Sequence, residues 1–256
     1  MQQLLIPLLT LFISGVVICI WEIKKPLREI EYLSTLLTDL RELPIVILFG
    51  VISTQIYYYL SSQFVFPAIE AITHSTVTVL VLNLPLWLRM IIAILLKDFI
   101  AYFNHRIMHY NYFLWRAHKW HHLQKPMYWL KGNKDSLVYK IIFSWDLLFF
   151  SLLEVPLNAT LIFTIAYSFS NFMVHANIQW PSHWMKKIEW VLVTPRYHLS
   201  HHSRNIQLQG KNLGDIFTFH DRIFGTYIDP DNFDFSHDEF GLDEEELPTV
   251  RMIIGL

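Results

Sequence analysis

The sequence contains a single cysteine and few charged residues, and both shortages narrow the class of protein. Because Cys19 has no partner, a scaffold held by disulfides is excluded. Charged residues make up 16% of the 256 positions, whereas soluble domains average about 25%. The formal net charge of -2 provides no basic field for nucleic acid. Since 53% of residues are hydrophobic and 16% are aromatic, disorder is excluded and a membrane protein is indicated.

Four apolar stretches are long enough to enter a bilayer, whose core needs about 20 helical residues. Residues 4–20 are interpreted as an uncleaved span, because no basic residue precedes them as in a signal peptide. Residues 43–66 and 86–103 predict two further spans, and residues 141–172, broken at 154–158, predict a helical hairpin. We therefore expect an all-α integral membrane protein with four to five membrane-crossing or hairpin helices.

The distribution of Lys and Arg predicts the orientation of these spans. Residues 21–42 and 104–140 contain several basic residues, whereas the turns at 67–85 and 154–158 contain none. Because basic loops stay in the cytosol, the N-terminus is expected outside and 104–140 inside. The chain then forms one membrane-embedded domain. It has a cytosolic helical cap at 104–140 and 175–227 and an acidic tail at 228–256.

Three smaller features accompany this topology. From Asp229 onward the sequence contains nine acidic residues and only one basic residue, which predicts a solvated surface. Residues 184–193 are amphipathic and are expected to lie along the membrane interface. Asp146 falls inside the predicted hairpin, where a carboxylate is either functional or placed near a helix end.

The most unusual feature is the presence of 13 histidines, eight of which form three tight groups. In an α-helix, positions i, i+3 and i+4 share one face, so each group presents its imidazoles in one direction. Packing them without a shared ligand would cost about 1–3 kcal/mol for each unpaired ring nitrogen. Since imidazole is a common metal ligand and one ion accepts about four to six ligands, eight histidines predict a dimetal site. The groups are His105 and His109; His118, His121 and His122; and His198, His201 and His202.

Other histidine-containing membrane proteins fit this pattern less well. A membrane cytochrome separates its haem ligands along spans inside the bilayer, whereas these groups follow the spans. A zinc or nickel transporter places its ligands near the bilayer midplane. A zinc-dependent membrane hydrolase commonly carries HExxH, which this sequence does not contain. The transporter and the hydrolase are kept as the alternative functions.

The three motifs, in their sequence context, resemble the sterol desaturase / fatty acid hydroxylase family of integral-membrane di-iron enzymes. The resemblance extends from about residue 21 to residue 227. Its overall appearance is closest to bacterial members and to the alkylglycerol monooxygenase-like branch. The matching segments are DFIAYFNHRIMH at 98–109, LWRAHKWHH at 114–122, NFMVHAN at 171–177, TPRYHLSHHS at 194–203, NLGDIF at 212–217 and DRIFGTY at 221–227.

This resemblance implies a ligand set, a cofactor and a reaction. Asn171 stands where related enzymes hold a further ligand, and His175 is implied as a ninth histidine ligand. Two Fe²⁺ ions, O₂ and two electrons would hydroxylate or desaturate a C–H bond of a sterol, fatty acyl or alkylglycerol lipid. The implied location is a bacterial inner membrane, with the histidines on the cytosolic side. The implied ligands are His105, His109, His118, His121, His122, His175, His198, His201 and His202.

The electrons would come from a separate reductase or electron carrier, since the chain has no dinucleotide, flavin or haem-attachment motif. Arg116, Lys119 and Lys125 form either a docking surface for that partner or ordinary basic residues of a cytosolic loop.

Two positions depart from the family pattern. Many bacterial members have Arg-x-His-Pro after the second motif, where this chain has Lys-Gly-Asn-Lys at 131–134. His220 stands where tryptophan usually precedes Asp-Arg. Neither departure removes a ligand, but both leave the identity of the lipid open. His74, His183 and His237 match no motif and are expected to be structural.

Overall fold

The computed structural model describes residues 2–68, 80–235, 237–242 and 249–256, with side chains from residue 9 onward except 146 and 182. His74 and the side chain of Asp146 therefore lie outside the described residues. The described chain is helical, as predicted, and its only β-type pairs are three isolated bridges, Pro26–Ile178, Leu192–Phe217 and Ser203–Phe240.

The helices differ strongly in length, from 29 residues to four. A π-helical turn, Ser61–Val65, continues the second helix, and short 3₁₀ turns lie at Trp129–Asn133, Ser144–Leu147 and Pro230–Asn232. The α-helices are α1 (Gln2–Lys24), α2 (Tyr32–Leu60), α3 (Leu86–Tyr110), α4 (Tyr112–His122), α5 (Leu137–Phe143), α6 (Leu148–Leu152), α7 (Leu157–His175), α8 (Ser182–Ile188), α9 (Pro195–His201), α10 (Ile206–Gln209), α11 (Phe219–Phe224) and α12 (Val250–Ile254).

Among the described residues, two helical stretches are long and apolar enough to cross a membrane, Tyr32–Ala68 and Leu157–His175. The first contains the predicted span 43–66 but begins earlier, at Tyr32. Helix α1 contains the predicted span 4–20. Large apolar side chains on α1 and α2, such as Phe12 and Leu33, are exposed. Broad exposed apolar faces of this kind are typical of contact with a membrane or with another protein.

Helix α3 contains the predicted span 86–103, yet its middle carries two buried charges. Lys97 forms an ion pair with Asp215. The carboxylate of Asp98 accepts a hydrogen bond from the backbone of Ile216 at 2.7 Å. Both charges are therefore satisfied by the segment that follows residue 214. The helix continues past the predicted span as far as Tyr110, and its last turns carry two of the histidines.

The predicted hairpin at 141–172 corresponds to two helical limbs that meet at residues 153–156. The first limb is α5 and α6 joined by a 3₁₀ turn, and the second is α7. Glu154 has a positive φ of 47° at the turn. Phe150 of α6 packs in a buried cluster with Ala93 of α3, which places the hairpin against the helix that carries the first histidine group.

The described acidic residues of the C-terminal segment are exposed, as predicted, but the apolar residues between them are buried. Phe233 and Phe240 are buried with Met127 and Leu199. Met252 of α12 packs in a second cluster with Phe49 and Trp120. Apolar residues between the acidic ones therefore fix the described part of this segment to the core. The predicted amphipathic stretch 184–193 is helical only as far as Ile188.

Candidate metal centre

Local breaks in the helices place the three histidine groups close together. Asn111 ends α3, and its side chain accepts hydrogen bonds from the backbone of Phe113 and Leu114 at 3.0 and 3.1 Å. This cap starts α4, which packs against α3. Thr194 caps α9 in the same way by accepting from the backbone of Tyr197 at 3.3 Å, with Pro195 in the first turn. Asn and Thr favour such positions because a side-chain oxygen satisfies an otherwise unpaired N–H.

The structure brings all nine predicted histidines together, in two groups. Within each group, one ring nitrogen per histidine lies within 4.8 Å of every other. Eight of the nine side chains are buried, and His109 is half-buried. The first group is His105, His109, His118, His122 and His201, and the second is His121, His175, His198 and His202.

Neither HxxHH motif belongs to one group alone. In the motif on α4, His118 and His122 join the first group, whereas His121 joins the second. The motif on α9 is divided the opposite way, since His198 and His202 join the second group and His201 the first. Residues four apart share a helix face, and the residue between them points aside. Each motif therefore links the two groups.

The environment keeps imidazoles in both groups neutral. Burial, reinforced by neighbouring imidazoles, lowers the pKa of His118 and His122 well below the ordinary value. The same causes lower the pKa of His198, His201 and His202. A neutral imidazole offers an unprotonated ring nitrogen to a metal ion. The cluster is therefore ready to ligate at neutral pH.

The spacing of the ring nitrogens fits metal ligation. In the first group, the Nε2 of His118 lies 2.9 Å from that of His105 and 3.0 Å from that of His122. Two imidazole nitrogens bound at about 2.1 Å and at right angles would be about 3.0 Å apart. The Nε2 atoms of His109 and His201 are buried without a hydrogen-bond partner. A shared cation would satisfy such atoms.

The second group has the same spacing. The Nε2 of His198 lies 2.9 Å from that of His175 and 3.1 Å from that of His202. The Nε2 of His121 lies 3.3 Å from that of His175. Nitrogen-only ligand sets suit iron, zinc, copper or nickel. The residues therefore fit an ion at each group.

Outer contacts fix the orientation of several rings. The Nδ1 of His105 donates to the Leu213 carbonyl at 2.9 Å, and that of His201 donates to the Lys211 carbonyl at 2.8 Å. A backbone carbonyl only accepts, so the opposite nitrogen, Nε2, carries the lone pair. His105 and His201 thus face the first group with the unprotonated ring nitrogen.

The 211–214 segment that supplies these carbonyls is held by the buried carboxylate of Asp221. This carboxylate accepts from the backbone of Leu213 at 2.8 Å and of Gly214 at 2.7 Å. It also accepts from the Tyr197 hydroxyl at 2.9 Å. In the sequence, residues 212–217 and Asp221 were recognisable only as parts of matching motifs. Their contribution to the position of His105 and His201 depends on tertiary contacts that no spacing rule reveals.

Neighbouring groups also fix the orientation of histidines in the second group. The Nδ1 of His175 donates to the Asn171 carbonyl at 2.8 Å. The side chain of Asn171, expected near a metal ligand position, donates instead to the Gly132 carbonyl at 3.1 Å. Asp135 lies 3.3 Å from the Nδ1 of His121. Although burial alone would raise it, Lys140 and His121 lower the pKa of Asp135 to about 2. This support was not foreseen from the sequence.

The two departures from the family pattern lie just outside the histidine groups. A Cβ atom at Gly132 would lie only 2.5 Å from the Nδ1 of His175. The absence of a larger side chain at position 132 therefore makes room for the ring. His220 is buried, with its Nε2 3.1 Å from Asp98, and belongs to neither group. His183 and His237 are exposed, and neither belongs to the two groups.

A cavity of about 340 Å³ opens beside the two groups. Five of the nine histidines line it, and its walls continue between α2, α3, α5 and α7. This volume lies at the lower end of the range for small-molecule pockets, about 300–1,000 Å³. The lining histidines are His105, His118, His121, His175 and His198.

Comparisons with a family profile and with known proteins agree on one family. The fatty acid hydroxylase family profile matches residues 90–226, more than half of the chain. Alkylglycerol monooxygenase of Xenopus tropicalis is 27% identical over 134 residues, covering 51% of this chain and 28% of that protein. The human alkylglycerol monooxygenase is 29% identical over 138 residues, covering 53% of this chain and 29% of that protein.

A bacterial relative is also similar. The ornithine lipid hydroxylase OlsE of Rhizobium tropici is 24% identical over 149 residues, covering 57% of this chain and 44% of that protein. The matches therefore cover less than half the length of these curated relatives. No solved structure matches the chain.

Proposed function

This chain belongs to the fatty acid hydroxylase family, and from this premise we propose that it is a membrane enzyme that hydroxylates a C–H bond of a lipid. The proposal includes two iron ions, O₂ and two electrons from a separate donor. One oxygen atom would enter the C–H bond, and the other would leave as water with two protons. Hydroxylation is preferred to desaturation because the relatives are named as hydroxylases and monooxygenases.

The observation that carries the proposal is the pair of histidine groups beside a cavity. Five histidines would hold one ion and four the other. The chemistry that two iron ions supply when bound is the activation of O₂ toward an unactivated C–H bond. The protein would hold the ligands in place, exclude bulk water and position one carbon of the substrate. The carbonyls of Leu213 and Lys211 support this positioning through His105 and His201.

We further propose that the chain crosses the membrane several times, with the histidine groups on the cytosolic side. Two helical stretches have the necessary length and composition. Helix α1 and the long helix α3 would complete the spans, with the α5–α7 hairpin entering beside them. Trp184, Trp190 and Val191 are exposed next to Lys186 and Lys187. Tryptophan and lysine are typical of the membrane–water interface, so this stretch is assigned to the surface of the bilayer.

A separate reductase would reach the metal centre from the cytosolic side. Of the three basic residues considered as its docking surface, Arg116 is exposed on α4. Lys125 is exposed as well, but its ammonium donates to the backbone carbonyl of Leu242. Lys125 therefore anchors the C-terminal segment, and Arg116 is the better candidate for contact with an acidic electron carrier.

Metal analysis of separate ligand variants tests the proposal. Protein would be purified anaerobically in detergent with iron supplied, and iron per chain would be measured by mass spectrometry. We expect about two irons in the wild type, since one ion binds about four to six ligands. His118→Ala/His201→Ala removes two ligands of the first group, and His198→Ala/His202→Ala removes two of the second. Each is expected to lose about half of the iron.

A matched control and a spectrum make the test specific. His183→Ala/His237→Ala removes two exposed histidines and is expected to keep the full iron content. Mössbauer spectra should contain two unequal components, because five nitrogens surround one site and four the other. Zinc as the only bound metal, with iron in excess, would instead favour a hydrolase or a transporter. Full iron content in both ligand variants would contradict the assignment of the groups.

A further inference from the structure

A buried carboxylate near the end of α1, that of Glu22, belongs to neither histidine group and does not line the cavity. The residue is only 1% exposed. Its Oε1 accepts hydrogen bonds from the backbone N–H of Trp129 at 2.8 Å and from that of Asn177 at 2.7 Å. Its Oε2 accepts from the Tyr32 hydroxyl at 2.7 Å. One oxygen atom therefore joins two segments that are distant in the sequence.

The first of these segments is the end of the helix that carries His175. Asn177 lies two residues after His175, the last residue of α7. Its side chain pairs with the backbone of Arg28 in both directions, accepting at 3.0 Å and donating at 2.8 Å. Ile178 is buried in one cluster with Ile18 of α1. The end of α7 is therefore fixed to α1 and to the connection between α1 and α2.

The second segment is the 3₁₀ turn that contacts the His175 ring. Trp129 begins this turn, which includes Gly132. A Cβ atom at Gly132 would lie 2.5 Å from the His175 Nδ1, so the backbone of the turn lies directly against the ring. Asp39 of α2 holds the same turn, since its carboxylate lies 2.9 Å from the Lys131 ammonium. The turn therefore limits where the ring can lie.

These contacts give Glu22 a defined effect on His175. Because both N–H groups bind the same oxygen, the backbone nitrogens of Trp129 and Asn177 stay within about 5.5 Å of each other, the sum of the two bond lengths. Removal of this oxygen would leave both donors without their acceptor and would remove that limit. Ligand distances in metal sites tolerate only about 0.2 Å. A small separation of the two segments would therefore weaken ligation by His175.

We propose that Glu22 is a positioning residue of the second histidine group, which holds His175 in place by joining the end of α7 to the turn against its ring. This inference rests on the proposed function, because it treats the group as a metal site. The effect is confined to the second group, since neither segment contains a histidine of the first. Glu22 lies outside the residues that the family profile matches, 90–226. The N-terminal helix thus serves the metal centre as well as the membrane.

The iron affinity of each group, measured in detergent during anaerobic competition with chelators, tests the proposal. Mössbauer components are assigned to the groups with His118→Ala/His201→Ala and His198→Ala/His202→Ala. Glu22→Ala is expected to weaken the second group about 10- to 100-fold, as loss of an outer partner of a ligand does, and to leave the first group unchanged. Glu22→Gln keeps an acceptor oxygen for both N–H groups and should retain the wild-type affinity. Wild-type affinity of the second group in Glu22→Ala would overturn the proposal.

Two comparisons separate positioning from a general loss of stability. Leu153→Ala removes a buried side chain from a cluster that contains no histidine of either group. It should lower the midpoint of thermal unfolding without a selective loss of iron from the second group. In a His175→Ala background, Glu22→Ala should weaken the second group no further, because the residue through which it acts is absent. Additive effects of the two substitutions, or the same selective loss in Leu153→Ala, would refute the positioning role.

A second variant covers the case in which Glu22→Ala does not fold. Glu22→Asp retains the carboxylate but shortens the side chain by one methylene group, so one oxygen no longer reaches both N–H groups. It is expected to give the same selective loss from the second group. Wild-type affinity at both groups in Glu22→Asp, with Glu22→Ala unfolded, would overturn the proposal.

Titration of the same variants with zinc distinguishes failure of this inference from failure of the proposed function. A wild type that binds zinc but no iron, with selective loss from the second group in Glu22→Ala, would contradict the proposed function and support the positioning role. Two irons in the wild type, with unchanged affinity in Glu22→Ala, would contradict this inference alone. A wild type that binds neither metal would overturn both.

Discussion

Replacement of Gly132 by alanine is expected to displace His175 from the second histidine group. A Cβ atom at this position would lie 2.5 Å from Nδ1 and 2.8 Å from Cγ of the His175 ring. Ordinary contacts begin at 3.4 Å, so the ring must retreat by about 0.9 Å. Ligand distances in metal sites tolerate only about 0.2 Å. The second group would then lose a ligand or hold it under strain.

The backbone has little freedom to relieve this contact. The Gly132 carbonyl accepts from Asn171 at 3.1 Å, and the flanking Lys131 and Lys134 both pair with the buried Asp39. Overpacking in such a fixed environment costs about 1–3 kcal/mol. We therefore expect metal affinity at the second group to fall about 5- to 150-fold. The first group does not contain His175 and should keep its ion.

The assay is iron retention during anaerobic competition with a graded series of chelators. Gly50→Ala is the control, because a Cβ atom there meets nothing within 4 Å. His175→Ala provides the reference for complete loss of the ligand. Adding Gly132→Ala to His175→Ala should weaken binding no further, since the ring that the methyl group meets is then absent. Wild-type iron affinity at both groups in Gly132→Ala would refute the reasoning.

Three other substitutions test the surroundings of the site. Asp221→Asn should lower the free energy of unfolding by about 1–3 kcal/mol in denaturant titrations, because at least one buried donor loses its acceptor; an unchanged midpoint would contradict the network. Asp135→Asn should weaken iron binding at the second group about 10- to 100-fold in the chelator assay, since it removes the carboxylate beside His121; unchanged affinity would show that this contact is dispensable. Met252→Ala should destabilise the protein by about 2–5 kcal/mol through a core cavity, whereas Val250→Ala, exposed on the same helix, should change stability by less than about 0.5 kcal/mol.

The sequence was sufficient to predict which histidines meet but not how they divide. Spacing of three and four residues predicts a shared helix face, and the structure gathers all nine predicted residues. The division of each HxxHH motif between two groups depends on how α4 and α9 approach each other. That approach is set by the caps at Asn111 and Thr194 and by packing across the chain. Periodicity within one helix contains no information about it.

The larger differences between these predictions and the structure also arise from contacts between residues that are distant in the sequence. Charge content predicts that a segment with nine acidic residues is solvated, yet Phe233, Phe240 and Met252 anchor it to the core. The hydropathy pattern predicts a span at 86–103, but it does not show that Lys97 pairs with a residue more than a hundred positions away. A window of sequence measures composition, whereas burial of a charge or an aromatic ring depends on a distant partner.

His220, where the chain departs from the family pattern, and the matched residue Asp221 both lie beside residues that support the first histidine group. Asp98 of α3 accepts from the backbone of Ile216 at 2.7 Å and lies 3.1 Å from His220. Asp221 accepts from the backbone of Leu213 and Gly214. Two buried carboxylates therefore hold the segment whose carbonyls orient His105 and His201, one on each side of residue 215. His220 stands beside one of these carboxylates, so its replacement is expected to affect the orientation of the first group through Asp98.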